Sequence, residues 1–270
     1  MSGARRLQGG ETADTKGEFD GARAWYDSVA DRFVRRYDGM EGDYYRLFEE
    51  DVFVKLAGSD GPILDLGCGH GRFVSRMTAE GGPVTVGADL SLEMLKRGEP
   101  NAPLAQANAA SLPFADATFA TVVSMGMFEY MEDPTPFLAE IHRVLKPGGK
   151  LLFTFHQVKD RQGAPKEDDE SVYYGRKVKE RNSLWTRVVR RLDEVEEGLR
   201  AARFTPVAPR RIFFRLPRIL FRIGVEGGRF LPPLRSALVG AAKLTENVMA
   251  SLMSRGADGN TIMFARKNQS

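Results

Sequence analysis

The residues best placed to do chemistry lie between Ile63 and Asp89. Ile63-Leu64-Asp65-Leu66 sets one carboxylate among three apolar residues, the pattern of a buried parallel strand. Gly67-Cys68-Gly69-His70-Gly71 follows directly as a tight turn into a helix. Glycines in such a turn allow positive φ and let a ligand approach without meeting a Cβ. The helix opened by the turn offers unpaired N–H groups, which suit a carboxylate or other anion. A second apolar run, Val84 to Ala88, ends on Asp89. An acid about 20 residues beyond the glycines is where an α/β nucleotide site needs an acceptor for ribose hydroxyls. Taken alone, the glycine turn equally suits a dinucleotide-type turn or a packing turn, so the elements around it must decide.

Those elements alternate. Trp25, Val29, Phe33 and Tyr37 recur at i, i+4, i+8 and i+12 over Ala22 to Tyr37, an amphipathic helix with aromatic steps; Trp25, Tyr26 or Tyr37 could cover a ligand at the mouth of the turn. Asp43 can cap a second helix carrying Tyr45, Phe48, Val52 and Leu56. After the turn come a helix over Phe73 to Ala79, the strand ending at Asp89, and a helix capped by Ser91. A short strand at Leu104 to Ala107 and a doubly buried strand at Phe119 to Ser124 follow. Asp133-Pro134 opens a helix with Leu138, Ile141 and Leu145 inward; Lys146-Pro147-Gly148-Gly149 ends it before a fifth strand at Lys150 to Phe155. Strands alternating with helices imply a parallel sheet with right-handed crossovers.

The chain has 270 residues, a formal charge of +3 and one cysteine, Cys68. One domain with an insertion is expected at this length. No apolar run approaches the length of about 18 residues that a membrane span needs. Met1 to Lys16 lacks the apolar segment of a secretory signal, and a single cysteine fits a reducing cytoplasm. From Arg203 onward there are twelve Lys/Arg and three Asp/Glu, so the tail is strongly basic while the remainder is acidic. Lys159 to Glu170 is a polar run that reads as an exposed loop. The expected division is a flexible terminus over 1–18 and a single domain over 19–270. Within it lie a helical cap at 19–60, a core at 61–156, a loop insertion at 157–182 and a helical lid or interface insertion at 216–258.

Four motifs in order carry a resemblance: Leu64-Asp65-Leu66-Gly67-Cys68-Gly69-x-Gly71, Asp89-Leu90-Ser91-x-x-Met94-Leu95, Ala107-Asn108-Ala109-x-x-Leu112-Pro113-Phe114, and Arg143-Val144-Leu145-Lys146-Pro147-Gly148-Gly149. Over Ile63 to Phe155 the chain resembles the class I S-adenosylmethionine-dependent methyltransferases, in particular the small-molecule branch that includes quinone and sterol methyltransferases. The resemblance implies a Rossmann-like, seven-stranded, mostly parallel sheet with helices on both faces. N-terminal helices would precede it, and a C-terminal helical insertion would fall before the last strand. It also implies S-adenosylmethionine as cofactor and S-adenosylhomocysteine as product. Asp65 and the backbone of Gly67, Cys68 and Gly69 would hold the methionine end. Asp89 would bind the ribose, and Leu90 and Met94 would flank the adenine. Asn108, where many relatives carry Asp, would accept from the adenine amino group through its carbonyl oxygen, and the Ala109 N–H would meet a ring nitrogen. Ser124 and Met125 would sit near the sulfonium, and Tyr37 over the site. A dinucleotide oxidoreductase is the rival, but its Gly-x-Gly-x-x-Gly fingerprint requires glycine where Arg72 stands.

Such an enzyme mainly aligns its nucleophile, and a general base is needed only for a weakly nucleophilic acceptor. His156, Glu129 and Tyr130 lie where strands end on the ligand side and are the catalytic candidates. The segment Ser124-Met125-Gly126-Met127-Phe128 lacks the Asp/Asn-Pro-Pro-aromatic motif of base amino-methylation, and no Pro-Cys pair serves cytosine chemistry. Nucleic acid is therefore not the expected partner, and no metal-ligand spacing is present. The expected acceptor is a small apolar or aromatic molecule of natural-product, quinone or isoprenoid type. A SAM-binding regulatory or partner subunit without methyl transfer, and a lipid methyltransferase at a membrane surface, are the alternatives. Leu184, Val188, Leu192, Val195 and Leu199 suggest a helix, Phe204 to Phe214 a sixth strand, and Thr261 to Arg266 a last strand completing an antiparallel pair. Relatives often carry Gly where Arg203 stands. The basic, apolar stretch Leu216 to Arg255 suits a lid, a membrane-surface helix or a homodimer contact.

Overall fold

The computed structural model describes residues 13–35, 39–98, 102–131, 133–157, 189–212, 215–227, 232–253 and 259–269. The chain enters through a long helix, α1 (Ala13–Arg35). A nearly continuous helical run follows: α2 (Met40–Tyr45), a π-turn at Arg46–Glu50 and α3 (Asp51–Ala57). Strands and helices then alternate as β1 (Ile63–Leu66), α4 (Arg72–Ala79), β2 (Thr85–Asp89), α5 (Leu92–Lys96), β3 (Leu104–Gln106), β4 (Phe119–Ser124), α6 (Thr135–Val144) and β5 (Leu145–Gln157). The remainder comprises β6 (Val189–Arg190), α7 (Leu192–Ala201), β7 (Phe204–Arg211), a helical pair α8 (Arg215–Gly227) and α9 (Pro232–Met253), and β8 (Gly259–Lys267).

Seven strands lie in the order β3-β2-β1-β4-β5-β8-β7, with the two-residue β6 paired beside the end of β5. Pairing from β3 through β5 is parallel; β8 runs antiparallel to both β5 and β7. This is the Rossmann-like, mostly parallel sheet expected, with the helical insertion α8–α9 preceding the last strand. Alternation along the strands divides the core. Leu64, Leu66, Val122, Leu151 and Phe153 face one cluster with α6 and α7, whereas Ile63, Val123 and Leu152 face Phe53, Phe73 and Met77 of α3 and α4. A third cluster joins Tyr44 and Phe48 of the cap to Phe221 of α8 and Ala242 of α9.

Several local expectations are corrected. The first helix begins at Ala13. Asp43 does not cap α2: the helix starts at Met40, and Asp43 lies within it, paired with Arg46 at 2.6 Å. Lys146 to Gly149 is not a turn separating helix from strand. β5 starts at Leu145, where α6 ends, and absorbs these residues through a register shift against β4. The strand also runs on through His156 and Gln157, because β8 pairs with it along its full end. The helix expected from Leu184 starts at Leu192, preceded by β6; Leu184 and Val188 lie outside the described residues, as does 158–182 of the expected loop insertion.

The exit from α7 answers the question raised by Arg203. This exposed residue takes φ 62, the left-handed conformation a helix-terminating glycine usually supplies. Its N–H donates to the carbonyl of Arg200 at 3.0 Å, closing the helix before β7. A side chain there carries a steric cost of roughly 1–2 kcal/mol, which glycine avoids at some loss through its freer unfolded chain. Arg203→Gly is therefore expected to raise stability by about 0.5–1 kcal/mol in urea unfolding.

Candidate functional site

The chain runs outward from β1 through β2 to β3, then returns to the other side of β1 as β4, so the strand order reverses between β1 and β4. In open α/β sheets such a reversal opens a crevice at the carboxyl ends of the strands. Into this end project the glycine turn after β1, Asp89 and Leu90 after β2, Asn108 and Ala109 after β3, and Ser124 to Met127 after β4.

The turn is held from β2. The N–H groups of Gly67 and Cys68 donate to the Ala88 carbonyl at 2.8 and 3.1 Å, and the Gly69 N–H donates to Asp89 Oδ2 at 2.7 Å. The other Asp89 oxygen accepts from the Ser91 N–H at 2.8 Å. Each oxygen therefore keeps lone-pair capacity while its direction is fixed by the backbone. Burial pushes the Asp89 pKa up, and the N–H groups of Ser91, Gly69 and Leu90 oppose that shift. Gly71 takes φ 82, and a Cβ there would come within 2.8 Å of the Leu104 side chain; glycine is what lets α4 start this close to β3.

Beside Asp89, Ser91 caps α5 by accepting the Met94 N–H at 3.1 Å, and its own hydroxyl donates to Asp27 Oδ1 at 2.5 Å. Asp27 also accepts the Glu93 N–H, and Asp31 pairs with Arg97 at 2.6 Å, so α1 is fastened along α5 at the edge of the crevice. Trp25 and Tyr26 pack edge to face nearby on α1, with ring centroids 4.8 Å apart. Met94 is buried against Gly69. Asn108 Oδ1 accepts the Ala110 N–H at 2.9 Å, forming a local turn after β3.

Acidic groups gather behind the glycine turn. Asp65 is buried, and burial, reinforced by the fields of Glu50 and Asp89 and opposed by Arg72, pushes its pKa up to about 8. Glu49, on the π-turn, rises to about 8 for the same leading reason, with Arg72 opposing and Glu50 and Glu129 adding. Glu50 is buried and pairs with Arg72 of α4 at 2.5 Å. Burial, with the negative fields of Asp65 and Asp89, pushes the Cys68 thiol well above its ordinary range, so it is a poor nucleophile. Among the described residues, no group of His, Cys, Asp and Glu is arranged to hold a metal ion.

On the β4 side, Ser124 is fully buried, and its hydroxyl has no hydrogen-bond partner among the described residues. Met125 is half-buried against the α3–α4 core, and Met127 lies over Gly67. Gly126 has open space above it: a Cβ there would meet nothing within 4 Å. Glu129 is buried in the helical turn Phe128–Tyr130, which Arg190 clasps through the carbonyls of Phe128 and Met131. His156 is buried within β5, its Nδ1 3.2 Å from Asn260 Oδ1 of β8, rather than on a loop beyond the strand. Tyr37 lies outside the described residues. Asp27, Glu49 and Arg72 escaped the reading of the sequence. Only the apolar stripe of α1 was weighed there, and two adjacent acids in a helix give no sign of which one turns inward.

A fixed carboxylate, a buried hydroxyl without a partner, open space at Gly126 and a protonated acid behind the turn suit an extended ligand with hydroxyls at one end and a cation at the other. Residues 64–153 match the family model described as "Methyltransferase domain". A demethylmenaquinone methyltransferase of Corynebacterium kroppenstedtii is 42% identical over 129 residues, covering 47% of this chain and 56% of the relative. A ubiquinone/menaquinone biosynthesis C-methyltransferase of Marinomonas sp. is 33% identical over 140 residues, covering 47% of this chain and 55% of the relative. The chain thus spans about half the length of the curated relatives it matches. The crystal structure of a SAM-dependent methyltransferase from Thermotoga maritima superposes with a TM-score of 0.60 at 15% identity, over 90% of this chain and 98% of that one, a likeness of fold.

The raised acids make a pH prediction. An acid whose pKa rises from 3.8 to about 8 on folding holds its proton more tightly folded than unfolded. Its contribution is complete below about pH 4 and is lost as pH rises toward 8. The free protein should therefore lose stability across that window, by roughly 1 kcal/mol per pH unit for each such group. Urea midpoints measured from pH 5 to 8 should show a visibly shallower slope for Asp65→Asn, with Glu49 supplying what remains. A slope unchanged in Asp65→Asn would contradict the assignment.

Proposed function

We propose that the protein is a class I S-adenosylmethionine-dependent methyltransferase, a reading supported by the match of residues 64–153 to a methyltransferase domain, and that it transfers the methyl group of that cofactor to a small apolar or aromatic acceptor of quinone or isoprenoid type. The observation that carries the reading is the Asp89 carboxylate. It is half-buried at the end of β2 and aimed by the N–H groups of Gly69 and Ser91 at 2.7 and 2.8 Å. This reading is supported by a carboxylate whose oxygens keep lone-pair capacity beside the backbone N–H groups that fix it, as a ribose acceptor needs.

The remaining roles follow the crevice. Asp65 provides the counter-charge for the ammonium of the methionine end, with the Gly67, Cys68 and Gly69 backbone alongside. Leu90 and Met94 flank the adenine. Asn108, whose Oδ1 also accepts the Ala110 N–H, lies beside the adenine amino group, and the Ala109 N–H meets a ring nitrogen. Ser124, Met125 and the open space at Gly126 border the sulfonium. The bound cofactor supplies an electrophilic methyl that needs in-line attack. The chain's part is to hold both partners in line and to exclude water. His156, Glu129 and Tyr130 are the groups proposed for the acceptor side, where a base is needed only if the acceptor is protonated. The named relatives support a quinone-like acceptor.

Calorimetric titration tests the cofactor site. SAM should bind and NADH should not. Asp89→Ala should weaken SAM binding by about 10- to 100-fold, the loss of roughly 1–3 kcal/mol that follows removal of a charged hydrogen-bond acceptor. Release of S-adenosylhomocysteine in the presence of phenolic, quinone or prenyl acceptors then tests turnover. SAM binding without such release from any of these acceptors or a cell extract would instead support a cofactor-binding partner subunit.

A further inference from the structure

One titratable group beside the crevice is left without a task. Glu49 lies on the π-turn at Arg46–Glu50, between Phe48 and Glu50, both of which are buried. Glu50 is engaged by Arg72 at 2.5 Å, and Asp51 by Arg76 and Lys243 at 2.6 and 3.0 Å. Among the described residues, no hydrogen bond or ion pair reaches the Glu49 carboxylate. A sheltered carboxylate without such a partner is uncommon and calls for a reason. Single π-turns within helices are themselves frequent at functional sites. The surroundings place the group. Arg72 directly follows the glycine turn after β1, Glu129 follows Ser124 to Met127 after β4, and Glu49 feels the field of both. It therefore faces the crevice between β1 and β4 from the side of the cap. Glu129 and His156, the other acceptor-side groups whose side chains are described, are 5% and 3% exposed, and His156 is held by Asn260. Glu49 is half-buried, so an incoming molecule can reach it.

We propose that Glu49 is the base of this site and that the acceptor it serves is the hydroxyl of a phenol or hydroquinone. The inference rests on the methyltransferase reading above and narrows its acceptor class. In the step assigned, the acceptor's O–H bond breaks and its proton passes to a Glu49 carboxylate oxygen. The acceptor oxygen bonds to the methyl carbon as the carbon–sulfur bond opens. The electron pair of that bond stays on sulfur, leaving S-adenosylhomocysteine and a methyl ether. The environment of Glu49 suits this task. Burial pushes its pKa up to about 8; Arg72 opposes the shift, and Glu50 and Glu129 add to it. Arg76 of α4 and Lys243 of α9 pair with Asp51 instead. An ordinary carboxylate would take the proton of a phenol, with its pKa of about 10, at an equilibrium cost of more than about 100,000-fold. For Glu49 the cost falls to roughly a hundredfold, and a base of this strength is matched to working pH. An isoprenoid double bond carries no proton of comparable acidity and gives Glu49 nothing to take before attack.

Single-turnover release of S-adenosylhomocysteine at saturating SAM tests the assignment, with phenol, hydroquinone, a naphthohydroquinone and para-nitrophenol as acceptors. Transfer to the first three should rise about tenfold per pH unit from about pH 6 and level off near about pH 8, as a base that must be ionised requires. Glu49→Gln should lose about 100- to 10,000-fold with these acceptors. The nitrophenol is already ionised at about pH 8.5 and needs no base, so Glu49→Gln should lose no more than about threefold with it. The amide has the size of the protonated acid, so the melting temperature and the calorimetric affinity for SAM at about pH 6 should not change. The pH profile of the parent protein remains a test even if the variant fails to fold. A flat profile overturns the proposal. So does an equal loss with both kinds of acceptor, which would make Glu49 a structural residue. SAM binding without transfer to any of these hydroxyls overturns the inference and leaves the cofactor reading standing, whereas absence of SAM binding removes both.

Discussion

The hydrogen bond from the Gly69 N–H to the Asp89 carboxylate is the joint on which the ligand end of this fold depends. It ties the turn after β1 to the end of β2, and the same carboxylate reaches forward to Ser91, whose hydroxyl both caps α5 and holds Asp27 of α1. One side chain thus fixes the turn, the next helix and the helix that borders the crevice. A hydrogen bond to a charged group is worth more than a neutral one, and this one is partly buried. The strand reversal between β1 and β4 supplies the crevice, and the Asp89 joint gives it a definite shape.

A second set of contacts couples the cap, the core and the helical pair. Asp51 receives Arg76 from α4 and Lys243 from α9, while Glu50 receives Arg72. Partly buried pairs of this kind fix geometry more than they add stability, because the desolvation of each charge offsets much of the attraction. Here they set the π-turn at Arg46–Glu50 against the start of α4, directly behind the glycine turn. The raised pKa values of Asp65 and Glu49 come first from burial; Arg72 opposes both, while Glu50 adds to both, Asp89 adds to that of Asp65 and Glu129 to that of Glu49. These acids hold protons in the free protein, and a cationic ligand brought against them favours their ionised forms.

The parallel core was legible in the sequence because each of its strands is a short apolar run closed by a turn signal. Asp65, Asp89 and the glycines announced themselves by type and spacing. Boundaries failed where tertiary pairing overrode a local signal. Lys146-Pro147-Gly148-Gly149 reads as a loop, but β4 pairs with Leu145 and Lys150 on either side of it and takes it up in β5 through a register shift. His156 reads as a loop histidine, but β8 extends the strand past it. Asp43 reads as a cap, yet α2 begins earlier and uses it for an internal pair. Arg203 shows the reverse case, a residue of unsuitable type holding a backbone position that the surrounding helix and strand impose. Asp27 and Glu49 carried no signal at all, since a helical acid becomes distinctive only when another element is packed against it.

The most direct test of the central claim is the proton balance of SAM binding at pH 7. Asp65, with its pKa pushed up to about 8, holds its proton in the free protein. An ammonium brought against it favours the carboxylate and expels that proton. Calorimetric titrations in two buffers of different ionisation enthalpy should therefore report the release of close to one proton per SAM bound, and Asp65→Asn should abolish most of it. Binding without proton release, or release undiminished in Asp65→Asn, would contradict the account and remove Asp65 from the cofactor site.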